Sequence, residues 1–262
     1  MRALLLGDAG ALALQVWRRN LEVYLVTWRT ACISLVEPVL TFLAFGLGVG
    51  MLTPEFEWEG RTVSYTEFVS PGILGMAILF QSFFECLYGS YIRMYYQRTF
   101  DAITATPASL DDVVVGEVLW GATRGLLGAL ATLLVLWAFG QARTPGAAAV
   151  PLLALAGGVF FGAAGLCFTG VVRNIESINY PLHLVGLPMY LFGGLFFPAE
   201  RMPDWAYPVT LCNPMYYLTN ALRSACAGDL GPRVWLTLAG ILVASLPLLA
   251  LALRLMRRRL VK

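Results

Sequence analysis

The sequence of 262 residues has little charge and almost no lysine or histidine. Only 13% of its residues are charged, against about 25% in an ordinary globular domain. Hydrophobic residues make up 58%, and the mean hydropathy is +0.71. These values exclude an intrinsically disordered chain, which needs high charge and low hydrophobicity. They are atypical of a soluble enzyme and predict an all-α protein that crosses a membrane several times.

The single lysine, Lys262, is the last residue, and the other seventeen basic residues are arginines. A Walker A loop ends in Lys-Ser or Lys-Thr, so the chain carries no P-loop of its own. The stretches between apolar segments are also shorter than the roughly 50 residues of a small domain. Any energy source must therefore be a partner or an ion gradient. The net charge of +2 gives no indication of a nucleic-acid partner.

Side chains for catalysis or metal binding are equally scarce. His183 is the only histidine, which excludes an HExxH zinc motif. No serine stands at Gly-x-Ser spacing, and no aspartate lies in an apolar segment. We therefore expect no catalytic residue, metal site or bound cofactor in this chain. The five cysteines are Cys32, Cys86, Cys167, Cys212 and Cys226, and no two of them have C-x-x-C spacing. A disulfide between Cys212 and Cys226 is left open.

Apolar segments of about 20 residues predict membrane-spanning helices. Six such spans are expected, at residues 30–52, 67–90, 113–139, 148–172, 178–197 and 234–254. The whole of residues 1–262 then forms one transmembrane domain. Residues 198–232 contain Pro208 and Pro214, which favour short re-entrant helices over a full crossing. Residues 1–29 are expected to form an interfacial helix, because Trp17, Tyr24 and Trp28 recur at helical spacing. For residues 20–29 the alternative is a cytoplasmic extension of the first span.

The distribution of basic residues predicts that both termini are cytoplasmic. In that orientation the inner loops and tails hold twelve basic residues and the outer loops hold five. The outer five are Arg61, Arg143, Arg201, Arg223 and Arg233. Arg124 lies within a predicted span and is not counted.

The inner segment 91–104 has an amphipathic pattern and predicts a short cytoplasmic helix that ends before Pro107. Ser109 and Asp112 then fit a capping box at the start of the third span. From the residues alone, this helix either docks a soluble partner or rests on the lipid surface.

Four charged side chains lie in or near predicted spans, where each costs about 2.5–3.5 kcal/mol on insertion scales. They are Glu37, Glu85, Glu117 and Arg124. Glu117 and Arg124 are two helical turns apart on one face and are expected to pair with other spans. Glu85 and Glu117 are equally consistent with anchors near the inner membrane boundary. Glu37 is consistent with a proton site or with a structural hydrogen bond.

Aromatic residues are dense around the end of the fifth predicted span and the outer segment. These residues are Tyr190, Phe196, Phe197, Trp205, Tyr216 and Tyr217. They form either an interfacial belt or an exit path for an amphipathic substrate.

Three stretches resemble the membrane permeases of type-2 ABC exporters, in particular the branch that exports lipo-oligosaccharide nodulation factors. They are Glu37-Pro-Val-Leu to Gly50, Gln97-Arg-Thr-Phe-Asp to Arg124, and Gly193-Gly-Leu-Phe-Phe-Pro to Pro203 with Asn213-Pro-Met-Tyr-Tyr217. The resemblance spans nearly the whole chain. It implies a bacterial inner-membrane protein in which two copies, in contact with membrane lipid, pair with two cytoplasmic ATPase subunits. It also implies that ATP and Mg²⁺ bind to those partner subunits.

The resemblance also implies that the loop after the second span docks the ATPase. The expected docking residues are Arg93, Tyr95, Tyr96, Gln97, Arg98, Thr99, Phe100 and Asp101. The expected substrate is a lipid-linked glycan or lipo-oligosaccharide, with hydrophobic drugs or antibiotics as the alternative. A different class, an ion-coupled transporter with Glu37 or Glu117 as proton carrier, predicts transport without a partner.

Overall fold

The computed structural model describes residues 6–27, 36–53, 55–58 and 60–260. The start of the first predicted span, Trp28, Cys32 and Lys262 lie outside these ranges. The described chain is helical except for one hairpin of β1 (Phe56–Trp58) and β2 (Arg61–Val63). The all-α prediction omitted this hairpin. Gly60 allows its tight turn by adopting a φ of +75°, a conformation that favours glycine.

Four helices in the described part are long and apolar enough to cross a membrane. They correspond to the second, third, fourth and sixth predicted spans: α3 (Tyr65–Tyr96), α5 (Leu110–Ala138), α6 (Pro145–Val171) and α10 (Pro232–Leu260). Most of the apolar length of α3 is buried, so α3 lies at the centre. The helix α10 is largely exposed, and its exposed face is apolar, as expected for contact with lipid.

The first predicted span is represented by α2 (Val36–Val49), a shorter apolar helix whose second half, Phe42–Val49, is π-helical. The fifth corresponds to α7, an irregular helix over residues 176–191. Its predicted end at residue 197 is wrong. The helix stops at Leu191, and Gly194 turns the chain with a φ of +68°.

The remaining helices are α1 (Leu6–Val26), α4 (Thr99–Thr104), α8 (Ala206–Leu211) and α9 (Pro214–Ala227). The helix α1 packs along α5, where Ala13 and Val16 fit against Gly116. The helix α9 packs against α3, α6 and α10, and its buried face includes Leu218 and Leu222. The Cys212–Cys226 disulfide, which the sequence leaves open, is absent, because both residues are free thiols. Burial raises the pKa of Cys226 to about 12.

Glycines set the close contact between α5 and α6. The Cα of Gly158 lies beside Gly125, and the Cα of Gly121 lies beside Gly162. A methyl group at Gly158 would come within 2.8 Å of the Cα of Ala122. Small residues at four-residue spacing on both helices therefore allow the two backbones to touch.

Candidate functional site: a buried ion cluster beside an exposed turn

The C-terminal part of α3 departs from regular α-helix at two π-helical turns, Glu85–Gly89 and Ile92–Tyr96. Gly89 leaves room there for charged side chains. A Cβ at this position would lie 2.5 Å from Oε1 of Glu85 and 3.3 Å from Nη1 of Arg93. The π-helical turns and the missing Cβ together bring Glu85 and Arg93 into contact across eight residues of one helix. Single π-helical turns of this kind occur often at functional sites.

Arg93 is the centre of an ion cluster that joins α3 to α5. Its Nη1 donates to Oε1 of Glu85 at 2.8 Å, and its Nε donates to Oε1 of Glu117 at 3.1 Å. The Nη2 of Arg93 donates to Oε2 of Glu117 at 2.5 Å. Glu117 is only 1% exposed. It also accepts hydrogen bonds from Nδ2 of Asn20 at 2.9 Å and from Oγ of Ser90 at 2.6 Å.

Arg124 extends the cluster along α5. Its Nε lies 3.4 Å from Oε2 of Glu85, and its Nη2 donates to the side chain of Gln81 at 2.8 Å. Its guanidinium lies 4.5 Å from the centre of the Tyr24 ring of α1. The indole of Trp120 donates to Glu85 at 2.9 Å. Two acids and two bases therefore alternate without net charge, which offsets much of the cost of removing them from water.

The structure thus brings together Glu85, Glu117 and Arg124, three of the four intramembrane polar residues named from the sequence. The carboxylate of Glu117 does not reach the protein surface, because Arg93, Asn20 and Ser90 enclose it. Sequence reasoning missed Asn20 and Ser90. The spacing of Glu85, Gly89 and Arg93 at four-residue intervals was the available signal.

The fourth residue, Glu37, lies apart from the ion pairs and lines a neighbouring cavity of about 340 Å³. Gln81, Glu85 and Arg124 also line this cavity, as do His183 and Leu187 of α7. One wall of the cavity is therefore part of the ion cluster.

The segment 91–104, predicted as one helix, is divided at Arg98. The helix α3 ends at Tyr96, Arg98 adopts a left-handed conformation with a φ of +54°, and α4 starts at Thr99. Arg98 and Asp101 form an exposed ion pair at 3.4 Å. We call residues 95–98 together with Asp101 the exposed turn.

Burial separates the eight docking residues named from the sequence into two groups. Tyr95, Tyr96, Gln97, Arg98 and Asp101 are exposed, whereas Thr99 and Phe100 are buried. Arg93 is held in the ion cluster, with its side chain 14% exposed. The side chains of Arg93, Thr99 and Phe100 are packed inside the protein, so a partner would meet the residues of the exposed turn instead.

The helix α1 connects the ion cluster and the segment after the exposed turn. Asn20 binds Glu117, and the neighbouring Arg19 donates to the hydroxyl of Thr99 at 3.4 Å. Burial, with a contribution from the charge of Arg93, lowers the pKa of Arg19. A movement of α4 would therefore be transmitted through these hydrogen bonds to α1 and α5.

The aromatic residues expected to form an exit path fall into separate groups. Phe196 is buried between Phe45 and Tyr190, with ring centres 4.7 Å and 5.4 Å away. Trp205 is exposed and packs on Phe192. Tyr216 and Tyr217 contact each other, and Phe197 is exposed. No single aromatic channel joins all six in the described chain.

A sequence model of the family described as ABC-2 type transporter matches residues 12–226, which includes the ion cluster and the exposed turn. The chain belongs to the ABC-2 type transporter family. Permeases of the ABC-2 family pair with ABC ATPase subunits, so the chain is a transport subunit without a catalytic domain of its own.

Full-length relatives support this ABC-2 assignment. The chain is 27% identical over 251 residues to Nodulation protein J of Sinorhizobium fredii, covering 94% of this chain and 92% of the relative. It is 29% identical over 250 residues to Nodulation protein J of Rhizobium meliloti, with the same coverage. It is 23% identical over 214 residues to the inner membrane transport permease YadH of Escherichia coli, covering 81% of this chain and 82% of that protein.

Proposed function

We propose that two copies of this chain and two ATPase subunits form an exporter in a bacterial inner membrane. Each copy contributes six spans, with α2 and α7 as the first and fifth, and both termini face the cytoplasm. The family match and the similarity to an inner membrane permease support this proposal. The excess of basic residues in the predicted inner loops supports the orientation.

The observation that carries the proposal is the position of the exposed turn at the end of the helix that holds the ion cluster. Arg93 lies five residues before Arg98, so the exposed turn and the cluster share α3. ATP-driven closure of the partner ATPase would push on Tyr95, Tyr96 and Arg98. The buried ion pairs would pass that movement to α5 and α1 as a rigid unit. A transport cycle requires two states of this kind that bind substrate differently.

The proposed substrate is amphipathic, most simply a lipo-oligosaccharide or another lipid-linked glycan. The support is the similarity to proteins named Nodulation protein J. The cavity beside the cluster is consistent with it, because Glu37, Gln81 and His183 offer polar groups next to Phe80 and Phe84. The alternative, export of hydrophobic drugs, needs no such polar groups.

Exchanging Arg98 and Asp101 tests the docking site. The double variant R98D/D101R keeps the internal ion pair and reverses the charges offered to a partner. We expect the protein to fold normally and substrate-stimulated ATP hydrolysis by the reconstituted complex to fall at least about tenfold, because close charge reversal at an interface is strongly unfavourable.

The matched control is Arg233→Glu, a charge reversal at the end of the molecule predicted to face outward. It should leave hydrolysis and ATPase binding unchanged. Wild-type coupling in the exchanged variant, or equal loss in the control, would contradict docking at the exposed turn.

A further inference from the structure

Three arginines from separate segments meet around one cavity of about 390 Å³ at the end of the molecule opposite the exposed turn. Arg61 belongs to β2, Arg143 to the loop after α5, and Arg223 to α9. Three of the five basic residues of the predicted outer side therefore line a single cavity. Among the described residues that line the cavity, Glu67 is the single acid. A cavity of this size is typical of small-ligand sites.

The residues just before two of these arginines have positive φ angles, a backbone conformation that side-chain-bearing residues rarely adopt. The turn at Gly60 places Arg61 directly across the hairpin from Trp58, which also lines the cavity. In the other loop, Ala142 has a φ of +54°, and Arg143 folds back over Gly140, whose φ is +86°. Strained conformations of non-glycine residues occur preferentially at functional sites.

Arg223 forms the inner wall of the cavity. It is 4% exposed, and its guanidinium donates to the backbone carbonyls of Phe68, Gly194 and Leu195. It also lies 3.7 Å from the centre of the Phe68 ring. These contacts fix the Arg223 guanidinium as part of the cavity wall.

Arg61 and Arg143 differ from Arg223 because both are exposed at the mouth of the cavity. Within the part of the chain that the structure describes, neither forms an ion pair with an acidic side chain. Arg143 makes one long hydrogen bond, at 3.5 Å, to the carbonyl of Trp137. Both guanidinium groups are therefore available to a ligand.

We propose that this cavity binds a phosphate group at the outer face of the membrane. Guanidinium forks match phosphate oxygens, and a phosphate can accept from two arginines at once. Trp58 and Phe68 supply an apolar wall for the group attached to it. A phospholipid head group and a soluble phosphate share this chemistry. The site depends on these side chains and not on the ATPase partner. If no phosphate binds here, the prediction that the exposed turn docks the ATPase is unaffected.

Binding of two probes to the purified, delipidated protein tests the site and distinguishes the sources. One probe is phosphatidylglycerol, measured by native mass spectrometry against diacylglycerol, which lacks the phosphate. The other is inorganic phosphate, measured by calorimetry against chloride. The variant R61Q/R143Q should bind at least about tenfold more weakly than wild type, because each lost hydrogen bond involves charged groups. Arg201→Gln is the control, since Arg201 packs on Phe56 and does not line the cavity.

Tenfold weaker retention of phosphatidylglycerol by R61Q/R143Q, with the control unchanged, would identify a lipid phosphodiester as the ligand. If R61Q/R143Q instead binds inorganic phosphate tenfold more weakly, with the control unchanged and no effect on phosphatidylglycerol, the ligand is a soluble phosphate. Wild-type protein that binds neither probe, or a loss as large in Arg201→Gln, would overturn the proposal. If the double variant fails to fold, Arg61→Gln at its exposed hairpin position provides the same comparison.

Discussion

At the scale of single residues, Glu117 and Arg93 show how neighbours decide the role of a buried charge. Sequence alone identified Glu117 as costly in a membrane and left open why it is there. Its environment answers this, because Arg93, Asn20 and Ser90 satisfy both carboxylate oxygens. Arg93 was expected on a docking surface because amphipathic spacing cannot reveal a partner 24 residues away in sequence.

Removing the Glu117 charge tests how much the cluster contributes to the free energy of unfolding. Glu117→Gln leaves the cluster with a net positive charge in a buried site, so we expect the free energy of unfolding to fall by about 3 kcal/mol. Apparent melting temperature in detergent, followed by size-exclusion chromatography, measures the loss. Adding Arg93→Gln should restore part of it.

Glu22→Gln is the matched control, because Glu22 pairs with Arg18 on the exposed surface of α1. We expect no resolvable change from it. If Glu117→Gln were as stable as this control, the cluster would not stabilise the fold.

At the scale of helices, hydropathy located the four long apolar helices with ends that differ by at most six residues from the structure, because length and apolar composition are properties of the chain itself. The two remaining predicted spans are irregular for reasons only partly visible in the sequence. In the predicted fifth span, the structure shows a π-helical turn between Pro181 and Pro188, and prolines are a recognised cause of such distortions. The capping box of Ser109 and Asp112 is present as predicted, since it needs only local contacts. Gly158 and Gly162 of α6 contact Gly125 and Gly121 of α5, and no local pattern in the sequence shows which glycines pair.

The contact between α5 and α6 predicts unequal effects of two similar substitutions. Gly158→Ala places a methyl group 2.8 Å from the backbone of Ala122, so we expect a loss of about 1–3 kcal/mol of stability. Gly240→Ala adds the same group to α10, where nothing lies within 4 Å. It should be neutral or stabilise by up to about 1 kcal/mol, because alanine favours helix. Equal melting temperatures for the two variants would contradict tight packing at Gly158.

At the scale of the whole molecule, the composition predicted a membrane protein without its own ATP site, and the family match agrees with that class. What composition and spacing did not supply is the arrangement that links the parts. Arg19 and Asn20 of α1 reach both the ion cluster and α4, and these contacts join segments 80 to 97 residues apart. Such pairings depend on the folded geometry, so no local pattern in one sequence encodes them.

The central claim is that this chain transports only together with a separate ATPase. The most direct measurement is to purify the tagged protein from its native membrane in mild detergent, identify the copurifying proteins by mass spectrometry, and assay nucleotide hydrolysis. The account predicts a near-stoichiometric soluble subunit with a Walker A motif and vanadate-sensitive ATP hydrolysis. A homo-oligomer without nucleotide hydrolysis would contradict it.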